Sequence, residues 1–162
     1  MLALLLGGGL RREELATLTM GHVQQRENRW CLVDLEGKGR RIRTVPIPPW
    51  SKDAIDEWLK VFPYTEGLLL GKVNTGGRFV GQGMTAPAIY GVVLRYEKLL
   101  KVTVKPHDLR RTFGKLAHKG GARIEQIQRS YGHASIQTTE KYLGIDQDLE
   151  DAPRDHLRIA ER

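Results

Sequence analysis

The chain has 162 residues, 40% of them hydrophobic and 28% charged, with a formal charge of +7 and a pI near 9.7. This length fits one domain with a proper core, and the basic balance favours a polyanionic partner, nucleic acid more than a membrane surface. Cys31 is the only cysteine, which excludes an intrachain disulfide and favours a reducing compartment, and no apolar run approaches the roughly 18 residues that span a bilayer.

The first six residues are strongly apolar and run directly into Gly7-Gly8-Gly9. They lack the basic start of a signal peptide, so the pattern predicts the last turns of a buried helix whose beginning is missing. We expect a trimmed chain, a gene remnant or an internal start. After the glycines, residues 10–18 form a predicted helix that turns Leu10, Leu15 and Leu18 toward the core.

Two strands are predicted at residues 29–35 and 42–47, joined by a hairpin turn that carries Gly37-Lys38-Gly39. Pro46, Pro48 and Pro49 end this hairpin, and Ser51 is a predicted cap of the next helix. The glycine-rich stretch 67–83 shows little regular pattern and is predicted to be a loop.

The rest of the chain is predicted to be helical, with one helix opening at Thr85 and Pro87 and another at Pro106. The second of these is expected to bury Leu109, Phe113, Leu116 and Ala117. Two short helices follow at 124–130 and 135–143, the latter ending at Gly144 in a left-handed cap. These elements predict an α+β fold, mainly helical, with one small antiparallel β-hairpin or sheet.

The chemistry concentrates in the last third of the chain, where His107-Asp108-Leu109-Arg110 is followed by Tyr131-Gly132-His133 and then Tyr142. In a helix that starts at Pro106, His107 and Arg110 share a face. Arg110 and Arg111 then lie in the first turn, where the helix dipole disfavours cations. A phosphate bound at this helix start would stabilise both arginines. Paired guanidiniums can neutralise a phosphodiester, and cationic neighbours are expected to favour the phenolate of Tyr142, which can then attack it.

Four motifs, in order, resemble those of the tyrosine recombinases, the phage-integrase family. Gly9-Leu10-Arg11-Arg12-Glu13-Glu14-Leu15 resembles the motif of its first arginine, and Gly37-Lys38-Gly39 with Thr44-Val45-Pro46-Ile47-Pro48 its lysine hairpin. His107-Asp108-Leu109-Arg110 is similar to its HxLR box, and Gly132-His133 followed by Tyr142 has its spacing. Residue 131, usually leucine in the family, is a tyrosine here.

The resemblance implies a DNA breaking and rejoining enzyme with the fold of that catalytic domain, lacking all or part of its first helix. Arg11 and Arg110 would clamp the scissile phosphate while His107 and His133 hydrogen-bond it. Lys38 would protonate the leaving 5′-oxygen, and Tyr142 would form a 3′-phosphotyrosyl link without metal or ATP. Glu14 would orient an arginine as structural support.

The resemblance also implies double-stranded DNA as the partner, a tetramer on that DNA, and no membrane association. Separately from the resemblance, an apolar patch left by the missing first helix would promote dimerisation of isolated chains or a swapped dimer. Residues 1–146 would be the truncated catalytic domain, and 147–162 a charged tail or helix exchanged between protomers. The protein would be cytoplasmic and encoded by a bacterium, a phage or a mobile element. Basic side chains expected to touch the DNA backbone are Arg40, Arg41, Arg43 and Arg111.

Other interpretations remain open at this stage. Each motif has a plain structural explanation: Lys38 as a solvated turn residue, Tyr142 as a half-buried packing residue, and the basic strand as a solvated face. A binding module, either a remnant or a truncated form without catalysis, is the alternative function, and a type IB topoisomerase is a distant third. We predict no cofactor and no metal site, because the remaining histidines fit no ligand spacing.

Overall fold

A computed structural model describes residues 1–37 and 39–145, which form seven helices, five strands and one 3₁₀ turn at Met20–His22. None of the described helices is long and apolar enough to cross a membrane. The predicted α+β class, mainly helical with small antiparallel sheets, is confirmed. In chain order the elements are α1 (Leu2–Gly7), α2 (Arg12–Ala16), β1 (Val23–Arg26), β2 (Arg29–Glu36), β3 (Ile42–Pro46), α3 (Pro49–Val61), β4 (Gly71–Val73), β5 (Phe79–Gln82), α4 (Ala86–Leu100), α5 (Pro106–Lys119), α6 (Ile124–Tyr131) and α7 (Ile136–Leu143).

The first sheet has three antiparallel strands in the order β1-β2-β3. Its predicted hairpin is confirmed, with Cys31 opposite Pro46 and Leu35 opposite Arg43, and the pairing shifts register between these two positions. Strand β1 was not predicted because only Val23 and Gln24 are partly buried in it, and one of these two residues is polar, so no hydrophobic alternation marks the strand. The sheet turns Leu32, Leu35 and Val45 into the core.

A second sheet lies where the sequence predicted a loop, so that prediction was wrong. Strands β4 and β5 pair antiparallel, with Gly71 opposite Gln82. The aromatic ring of Phe79 on β5 contacts Trp58 and Phe62 at the end of α3, with ring centroids 5.5 Å apart in each pair. The glycines of this segment interrupt the alternation of side chains that would indicate a strand. The feature that marks β5 is the contact of Phe79 with Trp58 and Phe62.

The main core joins α1 and α2 to the first sheet. Leu10, Leu15 and Leu18 are fully buried in it, as predicted, although α2 is shorter than the helix expected there. A second apolar cluster, formed by Ile127, Tyr131 and Leu143, lies under α5 and holds α6 and α7 against it. The site described below lies where these two clusters meet.

Two details of packing correct the sequence predictions, and two predicted helix caps are confirmed. Ser51 does not cap α3, which begins after Pro48; it is buried and donates its hydroxyl to the carbonyl oxygen of Ala3 at 3.0 Å. Leu116, expected in the core, is 58% exposed because its face of α5 points away from α6 and α7. Thr85 and Gly144 fulfil the predicted caps, the first accepting from the Ala88 amide and the second adopting a left-handed conformation.

Candidate active site

The site is organised by the first turn of α5. Pro106 occupies the first turn, and the carboxylate of Asp108 accepts a hydrogen bond from the Lys105 amide at 2.9 Å, which satisfies a donor at the helix start. The helix therefore begins where the sequence predicted. This start leaves His107 exposed and buries Arg110 one turn later.

Arg110 is 1% exposed and is held by two backbone carbonyls. Its Nη1 donates to Gly9, and its Nη2 donates to Tyr131 at 2.7 Å. Gly9 has a φ of +57°, and a side chain there would collide with the ring of Phe113, so only glycine presents this carbonyl without strain. Burial, followed by repulsion from Arg11, lowers the pKa of Arg110 to about 10, which still leaves it charged at neutral pH.

Glu14 is the carboxylate around which the arginines gather. Its side chain is 5% exposed and accepts from Arg11 Nη1 at 2.7 Å and from both terminal nitrogens of Arg43 at 3.0 and 2.8 Å. Arg110 Nη1 lies 3.9 Å from the same carboxylate. Burial acts to raise the pKa of Glu14, but the hydrogen bonds and charges of Arg43 and Arg11 outweigh it, so the pKa lies below its usual range.

Three guanidiniums thus surround one carboxylate, which leaves an excess of positive charge at the centre of the site. A carboxylate shared in this way fixes the orientation of its arginines but cannot neutralise all of them. An anion such as a phosphate diester would complete the charge balance.

Arg43 has a different place from the one expected. Its side chain is 7% exposed, its Nε donates to the carbonyl oxygen of Ser130 at 2.8 Å, and its other nitrogens bind Glu14. Because the guanidinium is used inside the protein, we assign it a structural role in place of the expected DNA contact. Arg40, Arg41 and Arg111 are exposed, where contact with a phosphate backbone is open to them.

Tyr142 lies beside both histidines. Its ring centroid is 5.2 Å from that of His107 and 5.5 Å from that of His133, with the rings edge to face in both pairs. Its hydroxyl donates to the carbonyl oxygen of His107 at 3.4 Å, a long hydrogen bond that a substrate can replace. Helix α7 places the tyrosine here because Leu143, the next residue, is buried in the second apolar cluster.

The two histidines are both disfavoured as cations. Burial and then the charge of Arg110 lower the pKa of His133 to about 4 and the pKa of His107 in the same direction. Nδ1 of His133 lies 3.0 Å from the hydroxyl of Thr139. At neutral pH, His133 is therefore an uncharged hydrogen-bonding group whose orientation is set by Thr139.

Burial raises the pKa of Tyr142, although Arg110, Arg111 and Arg11 act to lower it. From the sequence, the cations were expected to favour the phenolate; they do act in that direction, but burial is the larger effect. Tyr142 is therefore a neutral phenol at neutral pH, and its proton must leave as the reaction proceeds.

A cleft of about 290 Å³ opens beside these groups. Arg11, His107 and Arg110 line one part of it, and Tyr90 and Lys105, which no sequence motif singled out, line another. A larger groove of about 910 Å³ runs along Trp30, Pro48 and Lys52 and contains none of the predicted site residues.

The structure thus brings together Arg11, Glu14, His107, Arg110, His133 and Tyr142. Lys38 and the predicted tail at 147–162 lie outside the described residues. Within residues 1–37 and 39–145, no group of three or more histidine, cysteine or acidic side chains could hold a metal ion. Tyr131 has a place in the site that the sequence did not predict: its ring centroid lies 4.3 Å from the central carbon of the Arg110 guanidinium.

Comparison with known protein families gives a match to the phage integrase family over residues 1–148. The tyrosine recombinase XerC of Thermodesulfovibrio yellowstonii is 30% identical over 151 residues, which are 90% of this chain and 49% of that protein. The tyrosine recombinase XerD of Vibrio cholerae is 33% identical over 152 residues, covering 90% of this chain and 48% of that protein. The chain spans about half the length of these relatives.

Solved structures agree with this comparison. The XerA recombinase superposes with a TM-score of 0.70 at 25% identity, covering 89% of this chain and 52% of that one. The integrase of transposon Tn1549, solved in complex with circular intermediate DNA, gives a TM-score of 0.70 at 22% identity over 95% of this chain and 55% of that one. The second likeness shows a shared fold.

Proposed function

Because this chain belongs to the phage integrase family of tyrosine recombinases, we propose that it is the catalytic domain of a site-specific DNA recombinase. It would cleave and rejoin double-stranded DNA through a covalent 3′-phosphotyrosine at Tyr142, in integration or excision of DNA. The observation that carries the proposal is the position of Tyr142, which contacts both histidines on the side of α5 that bears Arg110.

The proposed reaction exchanges one phosphodiester for another. The phenolic oxygen of Tyr142 attacks the phosphorus, the bond to the 5′-oxygen of the next nucleotide breaks, and a 3′-phosphotyrosyl bond forms. The phenolic proton leaves to a base or to water, and the departing 5′-oxygen takes up a proton to become a hydroxyl. Attack by a second DNA 5′-hydroxyl reverses these steps, so strand exchange requires neither ATP nor redox chemistry.

The arginines would stabilise the charge that develops on the phosphoryl oxygens. Arg11 is tied to Glu14 on one edge, and Arg110 is fixed by two carbonyls, so both are oriented before substrate arrives. Preorganised donors of this kind are worth about 10²- to 10³-fold in rate each. His107 and His133 would hydrogen-bond the same phosphate, and Lys38 remains our proposed general acid for the 5′-oxygen.

Double-stranded DNA is the proposed partner, as supported by the basic charge of the chain and by the integrase of transposon Tn1549, which shares this fold and was solved in complex with DNA. We propose Arg40, Arg41 and Arg111 as contacts to its backbone, a tetramer on DNA as the active assembly, and the bacterial cytoplasm as the compartment. A swapped dimer is proposed for the isolated protein.

The proposal is tested with nicked suicide duplexes that carry a randomised cleavage site, because such substrates trap the covalent intermediate even when the target sequence is not known. The full chain should yield a protein–DNA species that survives denaturing electrophoresis. Tyr142→Phe should bind the same DNA but yield none, and Tyr96→Phe, a change on the exposed surface of α4, should behave like the parent.

Two outcomes would oppose this assignment. Covalent DNA on Tyr142→Phe would remove Tyr142 as the nucleophile. Salt-sensitive DNA binding by the parent without covalent product would instead favour a non-catalytic DNA-binding module.

A further inference from the structure

Tyr131 is the last residue of α6 and is completely buried beneath the proposed active site. We propose that Tyr131 is a positioning residue that fixes the Arg110 guanidinium for the scissile phosphate. This inference rests on the proposed function, and it goes beyond that function by giving a role to a residue that does not itself reach the substrate.

Tyr131 holds Arg110 at both ends. Its phenol hydroxyl donates to the main-chain carbonyl of Arg110 at 2.7 Å, and its own main-chain carbonyl accepts from Arg110 Nη2 at 2.7 Å. Between these contacts the ring lies 4.3 Å from the guanidinium carbon, within the range of a cation–π interaction. A leucine at this position would keep only the carbonyl contact.

The space for the phenol is provided by Gly114, one turn after Arg110 on α5. A Cβ atom at position 114 would overlap the hydroxyl oxygen of Tyr131 and approach Cδ2 of Leu143 to 2.7 Å. Glycine inside a helix costs about 1 kcal/mol relative to alanine. Gly114 therefore lowers the stability of helix α5 but leaves room for the Tyr131 hydroxyl to reach the main-chain carbonyl of Arg110.

The same ring also supports the other proposed catalytic groups. Its centroid lies 4.9 Å from that of His133 and 5.3 Å from that of Tyr142. Burial, followed by the neighbouring Tyr142, raises the pKa of the Tyr131 hydroxyl, so it remains a hydrogen-bond donor and does not compete as a nucleophile. A change at 131 is thus expected to move Arg110 first and the two rings with it.

The first test is single-turnover cleavage of a suicide duplex at saturating protein, with DNA affinity measured separately. We expect Tyr131→Leu to slow cleavage by about 30- to 100-fold, the effect of a displacement near 1 Å in an active site, while the Kd for DNA changes less than about threefold. Tyr131→Phe keeps the ring under Arg110 and should restore the rate to within about fivefold of the parent. Parental cleavage by Tyr131→Leu, below its melting temperature, would overturn the proposal.

A second pair of variants separates positioning from packing. Gly114→Ala should lower the melting temperature because it displaces the Tyr131 hydroxyl. Adding Tyr131→Leu to it removes the overlap with the hydroxyl, although not the close contact with Leu143, and should recover part of the melting temperature, while cleavage stays as slow as in Tyr131→Leu alone. If cleavage recovers together with stability, Tyr131 only fills space and the inference is wrong.

A readout independent of DNA chemistry distinguishes failure of this inference from failure of the proposed function. The Nε–H signal of Arg110 in nitrogen-15 NMR, assigned with Arg110→Lys, should be sharp in the parent and in Tyr131→Phe and broadened in Tyr131→Leu. An unchanged signal in Tyr131→Leu would refute the positioning role whether or not the parent cleaves DNA. A parent that forms no covalent product, with the expected NMR change, would refute only the proposed function.

Discussion

Glu14 and Arg43 form a two-contact ion pair in the interior, with Nη1 to Oε1 at 3.0 Å and Nη2 to Oε2 at 2.8 Å. The pair joins α2, which begins directly after Arg11, to β3 of the sheet. Arg43 also donates to Ser130 at the end of α6. One buried pair therefore connects three elements that each contribute a side chain or a support to the site.

Replacing Glu14 with glutamine should lower the free energy of unfolding by about 3 kcal/mol, because it leaves a buried guanidinium without its counter-charge. Urea denaturation measures the loss. Glu13→Gln is the matched control: its carboxylate is 60% exposed and pairs with Arg12 on the surface, so we expect a change of at most about 1 kcal/mol. Equal effects of the two substitutions would contradict the supporting role of Glu14.

Arg43 and Arg41 belong to the same hairpin, but their replacement should have opposite effects on stability and on the salt dependence of DNA binding. Arg43→Ala should destabilise the protein by about 3 kcal/mol, since it strands the Glu14 carboxylate, and should leave the salt dependence of DNA binding unchanged. Arg41→Ala should change stability by less than about 0.5 kcal/mol and reduce the salt slope by about one unit, as expected for one lost phosphate contact. Fluorescence anisotropy across a salt series tests both, and a reduced slope for Arg43→Ala would restore it as a DNA contact.

Arg43 also shows why the sequence predicted only part of this site. The start of α5 was predicted correctly because its signals are close together in the sequence: Pro106, and the helical spacing of His107 and Arg110. The partner of Arg43 lies 29 residues away on another element, so a basic strand could not be distinguished from a DNA-binding face. The fit of Tyr131 over Gly114 is likewise visible only after α6 has packed on α5.

Arg110 should be needed for the rate of cleavage more than for DNA binding. Arg110→Lys keeps the charge but cannot bridge the carbonyls of Gly9 and Tyr131, so we expect single-turnover cleavage to fall by about 10²- to 10³-fold with modest change in Kd. Lys119→Ala, at the far end of the same helix, is the control and should cleave normally. Near-parental cleavage by Arg110→Lys would show that a point charge suffices.

Replacing Arg11 should destabilise the protein less than replacing Arg110. Its side chain is 28% exposed and its main partner is Glu14, whereas Arg110 is fully buried. Arg11→Ala is therefore expected to cost a similar factor in cleavage but clearly less free energy of unfolding than Arg110→Ala. Parallel urea denaturation and single-turnover cleavage provide the comparison, and a larger stability loss for Arg11→Ala would contradict the burial argument.

His133 should make the protein less stable in mild acid. Its pKa is about 4 in the folded chain, below the ordinary value of about 6.5, so the unfolded state binds the proton more readily between these values. The stabilisation that results from this lowered pKa is complete above about pH 6.5 and is lost as the pH falls toward 4. The stability difference between the parent and His133→Gln should therefore shrink from about pH 7 to about pH 4.5 in urea denaturation. A constant difference would mean that folding does not lower the pKa of His133, and a difference that grows in acid would mean that folding raises it.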